Sequence, residues 1–283
     1  MSETLFRSVL YIPGSKTRAL EKARHLAVDA IIFDLEDAVA PAEKPGARAT
    51  LAAELAVSGY GHRVRLVRVN GLDTEWGGDD ARAVAEMDCD GILLPKVESK
   101  ADIAAAQALA PGVRVWCMIE TPRGVLNALE IADCPEVDGF ILGTNDLAKD
   151  IGCATGGDRA AMMTALQMAL MAARAAGIAC VDGVFNAFKD DDGLRFECEQ
   201  GRALGMDGKT LIHPAQIDVA NAVFAPTEDQ VDLATRQIDA YDAALANGEA
   251  VAVVDGKIVE NLHVVTARGI LAKAAAIRER ETA

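Results

Sequence analysis

The stretch Val113–Leu147, VRVWCMIETPRGVLNALEIADCPEVDGFILGTNDL, decides the fold. It holds two short apolar runs, Val113–Ile119 and Gly139–Leu142, with a helix-length segment between them. An acidic residue follows each run, Glu120 directly and Asp146 a few residues on. Short, continuous apolar runs rich in β-branched residues read as strands buried on both faces. Parallel strands joined by a helical crossover start at the same end of a sheet, so Glu120 and Asp146 emerge side by side at its C-terminal edge. From spacing alone two readings stay open: each carboxylate caps the helix that follows it, or the pair holds a divalent cation. Hard oxygen donors with no His or Cys beside them select Mg2+, or Mn2+, in the second reading.

The same alternation extends in both directions. Strands are expected at Ser8–Ile12, Ala30–Phe33, Val64–Val69, Gly91–Leu94, Val113–Ile119, Gly139–Leu142, Ile178–Val181 and Thr210–Ile212. Helices are expected at Lys16–Ala27, Lys44–Val57, Thr74–Met87, Ser99–Leu109, Pro122–Ile131, Arg159–Ala176, Asp190–Leu204 and Pro214–Val223. Eight strand-helix units imply an α/β fold of the (β/α)8 TIM-barrel type, with its chemistry on the C-terminal face. Residues 1–225 would form this catalytic barrel. Residues 226–283 have no place among the eight units: Thr227 and Gln230 fit a capping box for a helix to Ala246, an Asp255-Gly256 turn follows, and a last helix covers Leu262–Arg278. That segment is expected to act as a lid or oligomerisation arm.

Nearly every strand delivers a polar group to one rim. Asp34, Glu36 and Asp37 follow strand two, Arg68 and Asn70 end strand three, Lys96 follows strand four, and Asn145 stands beside Asp146 after strand six. Asp182 ends strand seven and His213 strand eight. Three carboxylates on one strand end cannot all ionise cheaply without a cation, so Glu36 and Asp37 either surround the waters of a metal or cap the next helix. Arg68 and Asn70 share a face, and a buried guanidinium needs a carboxylate or an anionic ligand. Lys16, Arg18, Lys22 and Arg24 concentrate positive charge on the first loop and helix. They form either a phosphate site, with Tyr11 available for stacking, or a solvated helix face. His213 precedes Pro214 and reads as a turn at least as readily as a catalytic group.

Of the 283 residues, 43 are acidic and 28 basic, a formal net charge of −15. That balance argues against nucleic acid or an anionic membrane as partner. Six cysteines without CxxC spacing fit a reducing cytoplasm. No basic and apolar leader opens the chain and no apolar run is long enough to span a bilayer, so a soluble, unprocessed protein is expected.

Seven motifs carry a family resemblance: RSVLYIPGSKTRALEKA, DLEDAVAPAEKPGAR, VRVN, LLPKVE, MIETPRGV, LGTNDLAKDIG and GKTLIHPAQ, in that order from Arg7 to Gln216. In these the chain resembles the citrate lyase β-subunit-like family of CoA-ester lyases, which includes malyl-CoA and citramalyl-CoA lyases and a malyl-CoA thioesterase. The resemblance implies Mg2+ on Glu120 and Asp146, Arg68 on the substrate, and CoA contacts from Tyr11, Lys16 and Lys22. Asn145 is counted with the ligand-binding residues, and Glu36 and Asp37 with the catalytic ones. It also implies a homotrimer or hexamer in which a neighbouring subunit's lid supplies an Asp. Here Glu260 stands in that place, and one extra methylene shifts a carboxylate by about 1 Å.

The expected reaction is reversible retro-Claisen cleavage of a 3-hydroxyacyl-CoA into acetyl-CoA or propionyl-CoA and glyoxylate or pyruvate. Arg68 would stabilise the enolate oxyanion, and Glu260 would be the general acid/base. Alternatives are hydrolysis of a malyl-CoA-type thioester on the same site, or a citrate lyase β subunit acting on a carrier-bound thioester. A class II pyruvate aldolase is disfavoured, because Glu36-Asp37 stands where those enzymes carry an acid-His pair.

Overall fold

The structure is a computed structural model that describes residues 4–57 and 59–282. Eight parallel strands close in sequence order: β1 (Ser8–Pro13), β2 (Ala30–Asp34), β3 (Val64–Arg68), β4 (Gly91–Leu94), β5 (Val115–Ile119), β6 (Val137–Leu142), β7 (Ala179–Asp182) and β8 (Gly208–Leu211). The ring shuts where β1 pairs with β8, from Ser8 opposite Lys209 to Leu10 opposite Leu211. This is the TIM barrel that the alternation predicts. Between the strands run α1 (Thr17–Ala23), α2 (Lys44–Leu55), α3 (Gly77–Val84), α4 (Lys100–Leu109), α5 (Pro122–Leu126), α6 (Ala128–Ala132), α7 (Thr144–Ile151), α8 (Met163–Ala176) and α9 (Asp191–Leu204), with α10 (Ile217–Phe224) after β8.

All residues of β2 and β5 are buried. Helices cover their outer face and side chains fill the barrel, so neither face needs polar residues. Val9, Ile32, Leu66, Leu93, Trp116, Met118, Ile141 and Val181 form much of the interior. Gly139 is dictated by Trp116, since a Cβ there would lie 2.5 Å from the indole.

The strand ends depart from the sequence expectation by at most two residues, as where β6 starts at Val137 and β8 at Gly208, and the larger departures are in the helices. α1 stops at Ala23 instead of Ala27, and the expected Thr74–Met87 helix shrinks to Gly77–Val84. The segment expected as one helix over Pro122–Ile131 breaks at Asn127 into α5 and α6. A 3-10 turn occupies Ala160–Met162 before α8, and another occupies Pro214–Gln216 before α10. α7 was not expected: it is a short helix in what reads as the loop after β6.

Residues Phe6–Ala222 form one compact unit, and a second runs from Val223 to the C-terminus and includes Leu5. In the second unit, α11 (Glu228–Ala246) starts at the expected capping box, with Thr227 Oγ1 accepting from the Gln230 N–H. The Val-rich stretch is an antiparallel hairpin of β9 (Ala252–Val254) and β10 (Lys257–Val259). It turns at Asp255 (φ 51°) and Gly256 (φ 73°), the left-handed pair that a two-residue hairpin turn requires. α12 (Asn261–Thr282) packs along α11. Tyr241, Val254, Val259 and Val264 fill the small core, while Val253 and Ile258 are 65% and 60% exposed. Among the described residues no helix is long and apolar enough to cross a membrane.

Candidate active site

Arg68, the last residue of β3, is buried at the C-terminal rim. Its Nε and Nη2 each donate to one oxygen of Asp34, both at 2.7 Å. Nη1 lies 2.9 Å from Glu36 Oε2 and 3.4 Å from Asp37 Oδ2. Asp34 also accepts the N–H groups of Glu36 and Ala38, both at 2.9 Å, which fixes the loop after β2. Burial works against the Arg68 charge, but the Asp34 carboxylate outweighs it and holds the guanidinium well above its ordinary pKa. The Arg68 guanidinium stacks over the Tyr11 ring at 4.9 Å, and burial pushes the Tyr11 phenol upward. Asp34 is therefore the carboxylate that a buried guanidinium needs, and the arm bearing Nη1 reaches Glu36 and Asp37.

Glu120 follows β5 and is 3% exposed. It is not the cap of α5: Thr121 Oγ1 takes the Gly124 N–H at 3.0 Å. Glu120 Oε1 instead accepts the Lys96 N–H at 2.8 Å, and Lys96 holds a left-handed backbone (φ 49°) rare for a residue with a Cβ. The Lys96 ammonium lies 3.8 Å from Asp146 Oδ1, which projects from the first turn of α7. Gly143 leaves room for this arrangement, since a Cβ there would sit 2.2 Å from Glu120 Oε2. Burial raises Glu120 to about 7 against the Lys96 N–H, and the Asp146 charge adds to the rise. Burial likewise raises Glu36 to about 7; Arg68 opposes, while Asp37, Glu120 and Asp34 reinforce it.

Five carboxylates, Asp34, Glu36, Asp37, Glu120 and Asp146, thus share one rim with Arg68 and Lys96. Among the described residues no group of three or more His, Cys, Asp or Glu is arranged to hold a metal ion. Mg2+ needs no such cage, because it binds through one or two carboxylates and keeps water or substrate oxygens in its other positions. The buried Glu120, the adjacent Asp146 and the excess of negative charge fit that ion.

The remaining expected residues scatter. Asn145 is exposed and exchanges hydrogen bonds with Asn186 (2.9 and 3.3 Å). That pair borders a cavity of about 200 Å3 whose walls include neither Arg68 nor Glu120. Lys16 is exposed, 3.8 Å from Glu43, and Lys22 is exposed on α1. Arg24 leaves the basic group: it pairs with Glu54 and lies over the Tyr60 ring. His213 is a turn residue, its Nδ1 accepting the Ala215 N–H at 3.1 Å.

Asp182 sits in a buried charge network rather than at the rim chemistry. Arg159 Nη1 donates to both its oxygens at 2.8 and 2.9 Å, and the fully buried Lys209 reaches Asp182, Glu197 and the Gly183 carbonyl. Sequence reasoning missed Arg159, Lys209 and Lys44. Lys209 leaves a signal, a lone charge inside a strand; the other two leave none.

A closed barrel with titratable groups gathered on its C-terminal rim defines a barrel enzyme. Residues 7–214 match the HpcH/HpaI aldolase/citrate lyase family, and the chain belongs to that family. It is 61% identical over 272 residues to a (3S)-malyl-CoA thioesterase of Cereibacter sphaeroides, covering 96% of this chain and 95% of that one. It is 34% identical to the citrate lyase subunit beta of Leuconostoc mesenteroides, over 95% of this chain and 93% of the relative. Among solved structures it resembles CitE of Mycobacterium tuberculosis in complex with magnesium, acetoacetate and coenzyme A, with a TM-score of 0.82 and 29% identity, across 97% of this chain and 100% of the other. A citrate lyase beta subunit from the same organism, complexed with oxaloacetate and magnesium, gives a TM-score of 0.71 and 32% identity over 79% and 99% of the two chains.

Proposed function

We propose that the protein is a Mg2+-dependent enzyme acting on the CoA thioester of a small 3-hydroxy dicarboxylic acid, and that it hydrolyses (3S)-malyl-CoA to malate and CoA. The observation that carries the reading is the rim itself: the buried Arg68 sits against Glu36 (pKa about 7), facing the Glu120 and Asp146 pair. The choice of hydrolysis over carbon-carbon cleavage is supported by the identity of 61% to the Cereibacter thioesterase.

Glu120 and Asp146 would hold Mg2+, which supplies charge and a template for the acid's oxygens. Arg68 would steady the oxyanion that develops on the thioester carbonyl. Glu36, poised near neutrality, would take a proton from the attacking water and return it to the departing thiolate. Water adds to the carbonyl carbon, the C–S bond breaks, and the CoA sulfur leaves as a thiol. Tyr11, Lys16, Lys22 and Asn145 would bind the thioester, with Asp37 supporting Glu36.

The second reading is retro-Claisen cleavage on the same residues, favoured by the citrate lyase beta relatives. There the substrate hydroxyl loses its proton, the C–C bond breaks, and the acetyl-CoA enolate is reprotonated. Glu260 of a neighbouring subunit would serve as that acid/base in a trimer or hexamer, and six free thiols fit a cytoplasmic setting.

Purified protein incubated with Mg2+ and (3S)-malyl-CoA distinguishes the two. Free thiol without glyoxylate marks hydrolysis, whereas acetyl-CoA with glyoxylate and no free thiol marks cleavage. No turnover of malyl-, β-methylmalyl- or citramalyl-CoA sinks both and leaves a carrier-bound thioester as substrate.

A further inference from the structure

Lys44 begins α2, yet its side chain is buried. The ammonium donates to the Leu35 carbonyl at 3.1 Å, the Glu36 carbonyl at 2.7 Å and Asn70 Oδ1. Those three acceptors use all three of its protons. Asn70 Nδ2 in turn donates to the Leu35 carbonyl (2.9 Å) and to Asp80 Oδ2 (2.6 Å), and Arg48 Nε holds Asp80 Oδ1 at 2.8 Å. Asp80 reaches Asn70 because Gly77 lets α3 close on the loop after β3: a Cβ on Gly77 would lie 2.1 Å from the Gly71 carbonyl oxygen.

This chain ends on the two carbonyls that frame Glu36. The Glu36 N–H is already held by Asp34 Oδ1 at 2.9 Å, so both sides of that residue are pinned and its carboxylate is delivered 2.9 Å from Arg68 Nη1. A loop side chain holds a reactive geometry only when its own backbone is locked by packing and hydrogen bonds. We propose that Lys44 is a positioning residue, which holds the Glu36 carboxylate against Arg68 by clamping the main-chain carbonyls of Leu35 and Glu36. The proposal rests on Glu36 being the proton carrier of the reaction above.

The test is a double-mutant cycle on the whole enzyme with Mg2+ and (3S)-malyl-CoA, using Lys44→Met, Lys44→Gln, Glu36→Gln and the Lys44→Met/Glu36→Gln pair. Lys44→Met is expected to lower kcat on the order of 100-fold, with KM and the Mg2+ midpoint moved less than about twofold. Lys44→Gln, which keeps two donors, should recover part of the loss, and Lys44→Met should add nothing in the Glu36→Gln background. Full kcat in Lys44→Met, or losses that multiply in the pair, overturns the proposal. If Lys44→Met does not fold, Lys44→Gln completes the same cycle.

A second readout does not need turnover: 13C-carboxyl titration of Glu36 in wild type and variant. Arg68 from β3, Asp34 from β2, Glu120 after β5 and the adjacent Asp37 are the same in both proteins, and the one charge lost is the Lys44 ammonium, whose removal by itself would raise the Glu36 pKa, opposite to the fall expected from a displaced carboxylate. An apparent pKa that falls toward the ordinary glutamate value in the Lys44 variant supports positioning even if every thioester proves inert. An unmoved titration in an active enzyme rejects positioning and leaves the reaction assignment standing.

Discussion

Glu120 and Glu36 both keep their protons to about pH 7, and in each the main cause is burial. An acid whose folded pKa is raised binds protons in the native state that the unfolded chain has already released. The contribution of these two groups to stability therefore falls as pH rises from about 4.5 to 7, and the penalty is complete above that window. In metal-free protein, Glu36→Gln should raise Tm relative to wild type at pH 8 and lose that advantage near pH 5; the opposite ordering would mean that Glu36 is not held protonated. If Glu120 holds Mg2+ as proposed, the ion displaces its proton, so the apparent Mg2+ affinity should weaken below pH 7, by up to about tenfold per unit. Thermal-shift titration at pH 6 and 8 measures this, and Glu120→Gln should abolish the Mg2+ response at both.

Between neighbouring elements the constraint that bears on the rim carboxylates is Gly143, between β6 and α7. A methyl group there occupies the space of the Glu120 carboxylate, so Gly143→Ala should remove the Mg2+-induced shift while circular dichroism stays native. Thr121→Ala, which removes only the α5 cap, should cost about 1 kcal/mol in urea unfolding and leave metal binding intact. These two variants separate the carboxylate's role from the helix cap that the sequence offered as its alternative.

The strands were legible because buried parallel strands read as unbroken apolar runs, and their order followed from the helical crossovers. Helix ends were less so, since α5 and α6 share one hydrophobic pattern and only tertiary packing breaks them at Asn127. The rim carboxylates and Arg68 could be read from their places after strands. The left-handed backbone of Lys96 and the burial of Lys44 could not: a positive φ at a lysine leaves no mark in the sequence, and a lysine at a helix start normally faces water, so only the folded neighbours show otherwise.

Across the whole molecule, the Asp182, Arg159, Lys209 and Glu197 network is a candidate stability centre. Asp182 titrates below its ordinary value because Lys209 and Arg159 outweigh the cost of its burial. Lys209→Met leaves two buried carboxylates with one cation and should lower the unfolding free energy by about 3–5 kcal/mol. In the C-terminal unit, Val253, Ile258 and Leu262 are each at least 60% exposed, a density of apolar surface that marks interaction sites. If this hairpin joins subunits, Val253→Asp with Ile258→Asp should yield monomers by light scattering; an unchanged mass would assign assembly to another surface.

The pairing of β1 with β8 has a consequence during synthesis. Roughly 200 residues separate Ser8 from Lys209, and at ~5–20 residues per second a ribosome needs about 10–40 s to supply the missing edge. Throughout that interval the nascent first strand carries open backbone donors and acceptors on the side that β8 will occupy, which is the condition under which strands recruit other chains. Production of this protein should therefore depend on holdase chaperones that bind its first strands early, and on translation speed through its last third, more than on the stability of the finished barrel.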